Sequence, residues 1–411
     1  MINEKVAHEG IKKGKEYNFK KICNNIHLWL GIASAIVLFV VCLTGTIFVF
    51  HTEIEKLLYP KWFSAKSGAA KMQTPDALIE KVEKVTDGKV VSFIIPSSKD
   101  EVWLFSIKGK SKKNGSFDKL PKTSTDDKVR AEKNKVFYVN PYTGAITGIG
   151  KSPAGKFFVT IENIHRWFFI GKPAGKAVGG SAALIFILLI ISGVVIWFPK
   201  KLKHWREGFK IKFSANWKRV NFDLHRAFGA YVFPVILLSA ITGPSWSFEW
   251  YRSVTSKVLN KEVLKKEKAL SLGDTVNAKA LRATYTQILD TVESYIPANG
   301  TTLINIPGNK SSAVSIIKTH TGFCSLAAID NIQINPYSGK VLKLSLFSDL
   351  SLGKKIATVF RAIHVGEIFG TLTKIIYFLA CLLATSLPIT GILIWLNKLK
   401  KPKRKNKAHS V

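Results

Sequence analysis

The chain has 411 residues, 47% of them hydrophobic, and carries 61 Lys and Arg against 27 Asp and Glu, a formal charge of +34. That length would hold two or three soluble domains, but the apolar residues are gathered into four blocks at 26–50, 174–198, 222–248 and 372–396, not spread as in a globular core. The excess charge flanks those blocks, where it acts as a topology signal and an anionic-lipid contact, so the bilayer and not nucleic acid is the expected partner.

Residues 1–25 read as a polar head carrying Lys12, Lys13, Lys15, Lys20 and Lys21. The block at 26–50 is long enough for a helix to cross about 30 Å of hydrocarbon at about 1.5 Å per residue. It is too long for a cleavable signal and lacks a small-residue cleavage site. Residues 51–156 read as a small α+β module outside the membrane. Thr74-Pro75-Asp76 opens a helix reaching residue 85, and strands are expected at 90–95, 102–107 and 136–139. The Lys/Ser/Asp stretch at 108–135 is expected to be a mobile loop, and Asn140-Pro141-Tyr142-Thr143-Gly144 a tight turn.

An outer histidine segment and the second span occupy 157–198. The basic loop 199–221 carries Lys200, Lys201, Lys203, Arg206, Lys210, Lys212, Lys218 and Arg219 against one acid, Glu207. A third span at 222–248 leads into 249–355, which repeats the outer module. Its helix is expected at 278–294, its strands at 302–306, 313–318 and 332–334, and its turn at Asn335-Pro336-Tyr337-Ser338-Gly339. A second outer histidine segment and the fourth span fill 356–397, and the tail 398–411 ends in Lys398, Lys400, Lys401, Lys403, Arg404, Lys405 and Lys407. Lys and Arg near span ends mark the cytoplasmic side, so head, basic loop, tail and both termini are expected there. The fold class expected is a mainly α membrane protein, four transmembrane helices in a tandem two-helix repeat with two small α+β modules outside. Such a parallel repeat implies a pseudo-twofold axis along the membrane normal.

The histidines carry the chemistry. His27 and Gly31, with Thr44-Gly45 following, recur as His225 and Gly229 with Thr242-Gly243 at the same spacing; His165-Arg166-Trp167 with Ser192-Gly193 and Trp197 is answered by His364 with Thr390-Gly391 and Trp395. Ionisable groups in membrane segments are costly and mostly functional. Topology places His27 and His225 at the cytoplasmic end and His165 and His364 at the outer end, so each pair can face across the axis at its own depth. Two imidazoles from opposite sides suit a six-coordinate haem iron with no open site for dioxygen, an electron carrier.

Arg166, Arg226 and Arg361 can pair with haem propionates or snorkel to the interface. The glycines permit close approach of a macrocycle or of another helix; Trp29, Trp167, Trp197 and Trp395 are interfacial anchors first. The competing reading is a bound or transported metal ion, which would want carboxylates or cysteines nearby. Glu162, Glu367 and Glu249 are the near acids, and none repeats. His51 stands outside the duplication, with Trp250 or a neighbour at its counterpart. It is an alternative outer ligand, a ligand of incoming substrate, or an interfacial residue. His8, His204, His320 and His409 lie in polar stretches and are expected to have no specific role. Of Cys23, Cys42, Cys324 and Cys381 only Cys324 lies outside, so no intrachain disulfide is expected, and without a Cys-x-x-Cys any haem is non-covalent.

These motifs, the His-x-x-x-Gly starts, the Thr-Gly ends, the His165-Arg166-Trp167 entry and the two Asn-Pro-Tyr-[Thr/Ser]-Gly turns, resemble the PepSY-associated transmembrane family of inner-membrane proteins over nearly the whole chain. The resemblance implies two b-type haems with bis-histidine ligation by His27/His225 and His165/His364. It also implies ferrisiderophore reductase activity: electrons cross the bacterial inner membrane to a ferric siderophore or other ferric chelate in the periplasm. Unlike some relatives the chain carries no fused cytoplasmic flavin reductase domain, which leaves the donor open, a quinol and a cytosolic flavoprotein being the expected classes. A PepSY-bearing binding or regulatory module without redox activity is the alternative of a different class.

Overall fold

In a computed structural model, all residues are described except 1, 66–70, 110–134, 200, 266, 273–281, 310 and 401–411, and for 2–18 the backbone alone. The expected mobile loop and most of the basic tail lie outside the described residues. The first helix, α1 (Ile2–Phe48), makes the polar head and the first span one continuous helix. Short helices α2 (His51–Leu58) and α3 (Pro60–Phe63) lead to α4 (Pro75–Thr86), then to strands β1 (Gly88–Ile95), β2 (Trp103–Gly109), β3 (Lys135–Val139) and β4 (Ile146–Ile149), and then to α5 (Pro153–Trp167) and α6 (Lys172–Trp197). A 3-10 turn at Leu202–Phe209 precedes the second half. There α7 (Trp217–Thr242), α8 (Pro244–Ser247) and α9 (Glu249–Val258) are followed by α10 (Tyr285–Tyr295), and then by β5 (Gly300–Asn305), β6 (Val314–His320), β7 (Ile329–Ile334) and β8 (Val341–Ser345). Helices α11 (Leu352–Thr358), α12 (Phe360–Val365) and α13 (Gly370–Leu399) complete it.

Four segments are long and apolar enough to cross a membrane: Phe19–Phe48, Lys172–Trp197, Trp217–Ser247 and Gly370–Leu399. They form a four-membered ring in which α1 packs on α6 and α13, and α7 packs on the same two. Lipid is as apolar as leucine, so small residues that let backbones approach hold such helices together. Ala35, Ala227, Ala230, Ala240, Ala380 and Ala384 are accordingly buried, while Ile36, Leu188, Leu238 and Leu379 face outward. The centre of the ring is filled by Cys42, Val232, Ile236, Ala380 and Ala384.

The two α+β modules do not stand apart as separate units. Their strands form one eight-stranded antiparallel sheet in the order β4-β3-β2-β1-β5-β6-β7-β8. The seam pairs β1 with β5, from Ser92 opposite Asn305 to Ile95 opposite Thr302. One face of the sheet lies under α4 and α10, and Leu78, Phe93, Phe105, Phe137, Ile288, Ile304, Ile316 and Ile332 are fully or almost fully buried there. Asp76 of α4 crosses the seam to accept from the amides of Tyr285 (2.9 Å) and Thr286 (3.2 Å), capping the helix of the other half. That helix begins at Tyr285, inside the expected 278–294; residues 278–281 lie outside the described residues.

Both expected turns form alike. Asn140 and Asn335 each accept through Oδ1 from the amide two residues on at 2.9 Å, and Gly144 and Gly339 take the left-handed conformation such a turn demands. Beyond each turn lies a strand that local pattern did not reveal, β4 and β8. These edge strands lead to the histidine helices. Ser152 caps α5, accepting from Gly155 N at 2.9 Å, and α5 descends to His165; β8 leads through α11 to α12 and His364. A left-handed turn follows each, at Phe168 and Gly366, and sends the chain back into the bundle.

Candidate functional site

All four repeated histidines are held in the same way. In each case Nδ1 meets a main-chain carbonyl and the hydroxyl of the Ser or Thr three residues further along the same neighbouring helix. For His27 the partners are Leu189 O at 3.0 Å and Ser192 Oγ at 3.1 Å. For His165 they are Val41 O and Thr44 Oγ1, both at 3.1 Å. His225 lies 2.9 Å from Thr390 Oγ1, with the Leu387 carbonyl as its backbone acceptor. His364 lies 3.1 Å from Ser239 O and 2.9 Å from Thr242 Oγ1. A carbonyl only accepts, so Nδ1 carries the proton and Nε2 keeps its lone pair. The hydroxyls donate back into their own helices, Thr44 to Val40 O at 2.6 Å and Thr242 to Leu238 O at 2.9 Å, which leaves their oxygens to accept from the imidazole.

The glycine after each hydroxyl residue completes the cradle. A methyl group at Gly193 would stand 3.1 Å from His27 Cε1, at Gly391 3.3 Å from His225 Cε1, and at Gly45 and Gly243 3.5 Å from His165 and His364 Cε1. The Ser/Thr-Gly dipeptides are therefore ring supports, and each serves the histidine at the far end of its own half. Sequence reasoning quoted these Ser/Thr-Gly dipeptides as spacing motifs and gave the glycines a role, but assigned none to the hydroxyls of Ser192, Thr44, Thr390 and Thr242. The available signal was the hydroxyl residue that precedes Gly45, Gly193, Gly243 and Gly391 alike.

The structure brings the histidines together in two pairs. His27 and His225 approach across the ring with centroids 6.2 Å apart and planes at 85°. His165 and His364 meet at the other end, where burial pushes His364 down to about 4, with His165 beside it and Arg361 acting the same way. Burial also lowers His165. Both are thus neutral imidazoles. Two imidazoles on opposite sides of one metal, each bonded at about 2 Å, have centroids roughly 6 Å apart. The donor set, the tautomer, the separation and the glycine clearance all fit a bis-histidine haem at the first pair. The second has the same cradles and tautomers.

The arginines are engaged with protein groups. Arg166 pairs with Glu162 at 2.9 Å and lies over the Trp167 ring at 4.6 Å. Arg361, mostly exposed, is 3.6 Å from Glu367. Arg226 donates to the carbonyls of Glu207 (2.8 Å) and Lys210 (3.3 Å) and pairs with Asp223 at 3.2 Å. Its Nε is buried with no hydrogen-bond partner among the described residues, the one arginine nitrogen here in want of an anion such as a propionate.

Asp223 corrects the inventory of near acids. It is almost fully buried two residues before His225, and also binds Arg219 Nε at 3.0 Å and the Lys212 amide at 3.3 Å, fastening the basic connection to the third span. Lys374, another buried charge missed in sequence, sits between Glu53 at 2.7 Å and Glu367 at 3.3 Å, tying α13 to the end of the first span. Among the described residues no group of three or more His, Cys, Asp and Glu is placed to hold a metal ion.

His204 and His320 are not idle: they bind Glu207 at 2.9 Å and Asp330 at 2.7 Å. The side chains of His8 and His409 lie outside the described residues. His51 opens α2, with Nδ1 2.8 Å from Phe48 O and its ring stacked on Phe48 at 4.0 Å. It joins neither pair. Cys324 is exposed, whereas Cys23 and Cys42 are buried; all four thiols are free.

The chain matches the family described as PepSY-associated TM region over residues 25–398. No curated protein matches it.

Proposed function

Because the chain belongs to the PepSY-associated TM family, we propose that this multi-pass membrane protein is a di-haem electron conduit that reduces a ferric chelate outside the bacterial inner membrane. The observation that carries the reading is the fourfold cradle, which fixes every ring in the Nδ1–H tautomer and leaves Nε2 as a free lone pair. Metal-bound histidines are oriented in this way by the hydrogen bond at their other nitrogen. His27 and His225 would hold one b-type haem, His165 and His364 the other. Haem, when bound, supplies one-electron chemistry; with two protein ligands per iron no position stays open for dioxygen.

The residues do the rest. The cradles hold the imidazoles in place, the apolar ring excludes water, and Arg226 can offer its unpartnered Nε to a propionate. On this reading the two pairs lie at two depths, one at each end of the helix bundle. The lysine-rich head, connection and tail support cytoplasmic termini; on that orientation His27/His225 would face a quinol or a cytosolic flavoprotein as donor, and His165/His364 the ferric chelate outside. Reduction releases iron because ferrous ion binds hard oxygen chelators less tightly than ferric ion.

A reduced-minus-oxidised spectrum of protein purified from haem-replete cells tests this directly. Two low-spin haems per chain are expected. A colourless preparation would sink the proposal.

A further inference from the structure

On the reductase reading above, we propose that His51 is the substrate-contacting residue, a single nitrogen ligand for the ferric ion of a chelate docking on the first-half side of the outer face. The two halves differ in the aromatic residues that pack beside the outer pair. Aligned on His27 and His225, Phe48 corresponds to Trp246 and His51 to Glu249. In the second half Trp246 lies against His364 itself, centroids 4.8 Å apart, with Phe360 behind it at 5.9 Å. In the first half Phe48 turns away to stack on His51 at 4.0 Å, and Phe158 of α5 closes on both rings at 6.4 and 6.0 Å. One side of the outer pair is sealed by tryptophan; the other leads through two phenylalanines to an imidazole.

That imidazole is poised to bind and not to support a haem. It has no Ser/Thr-Gly cradle, and its counterpart in the second half is Glu249, an exposed carboxylate paired with Arg252 at 3.3 Å. Its Nδ1–H donates to the Phe48 carbonyl, so its Nε2 lone pair accepts only from the Thr52 hydroxyl at 3.2 Å, a neighbour free to rotate to water. The ring is partly exposed. It lies seven residues beyond Thr44 of the His165 cradle, across the turn that separates α1 from α2. The ligand class is a ferric ion in oxygen donors with one exchangeable position. Imidazole is a softer donor than carboxylate or hydroxamate, and exchanging an oxygen for it favours the ferrous state. One Fe–N bond forms and later breaks, the ferric ion gains one electron from the conduit, and no proton moves.

The test compares His51→Gln with wild type in full-length protein carrying its haem. Both should show the same two-haem spectrum and midpoint potentials. Re-oxidation of the pre-reduced protein by ferric citrate should slow at least tenfold in the variant, and binding of redox-inert gallium(III) citrate to the oxidised protein should weaken at least as much. Ferricyanide, which needs no inner-sphere ligand, should re-oxidise both equally fast. An unchanged ferric citrate rate, unchanged gallium binding, a wild type blind to both citrates, or an equal slowing with ferricyanide overturns the inference. Loss of one haem in the variant would also overturn it, by making His51 an axial ligand. A wild type without haem overturns the reductase reading as well, and is recognised before any variant is made.

Discussion

Replacing Thr390 with Val tests the cradle at His225. The two side chains have nearly the same shape, so packing is kept while the hydroxyl 2.9 Å from His225 Nδ1 is lost. The Leu387 carbonyl remains as an acceptor, so the proton is not orphaned. The direct loss is that of one neutral hydrogen bond, about 0.5–1.5 kcal/mol. Groups that orient a metal-bound histidine are typically worth about 10–100-fold in metal affinity. With one acceptor retained the lower end applies, roughly tenfold or about 1.4 kcal/mol. The assay is haem transfer to excess apomyoglobin, followed at wavelengths that separate the two centres. On the di-haem reading, the haem at His27/His225 should leave about tenfold faster, with the other unchanged; Thr242→Val should do the reverse, and Thr390→Ser should restore wild-type behaviour. If Thr390→Val released the outer haem, or released neither while Thr390→Ser behaved no differently from valine, the cradle would be packing and nothing more.

Gly193→Ala and Gly391→Ala place a methyl 3.1 and 3.3 Å from a ring carbon, and Gly45→Ala places it at 3.5 Å; difference spectra should show the first two shifting the inner centre's bands while the third leaves the outer bands in place. Asp223→Ala strips the buried counter-ion from Arg226 and frees the basic connection, and should cost about 3 kcal/mol, read as a lowered Tm in detergent. Ile304→Ala, at a fully buried position beside the seam, should cost about 2–5 kcal/mol and expose the β1–β5 edge to proteolysis without altering haem content.

The spans were readable because twenty consecutive apolar residues admit few other interpretations, and the paired asparagine-glycine turns because each needs a left-handed glycine. The cradles were not. Thr44-Gly45 follows His27 by 17 residues, which is about 25 Å of helix. A dipeptide that far off cannot serve its own histidine, and its true partner, His165, arrives by way of an entire module. The β1–β5 seam was equally hidden, since period-two alternation fixes which face a strand buries but not which distant strand it meets. Asp223 was overlooked in a segment read as span, where a carboxylate is intelligible only once Arg219 and Arg226 are seen closing around it. The strand Ile146–Ile149 is four residues long and interrupted by Gly148, too brief for alternation to register.

The joined sheet bears on how such a chain could have come to be doubled. A half-length protein would end its sheet at a bare β1 or β5, an open row of amides and carbonyls that invites another strand. It would also hold only one imidazole at each depth. Both deficits are met by a second copy turned about the same axis. Fusion into one chain leaves that mutual dependence intact and removes its sensitivity to concentration: the bis-histidine centre proposed above, which would otherwise assemble only when two molecules meet, would close within one, however dilute in the membrane.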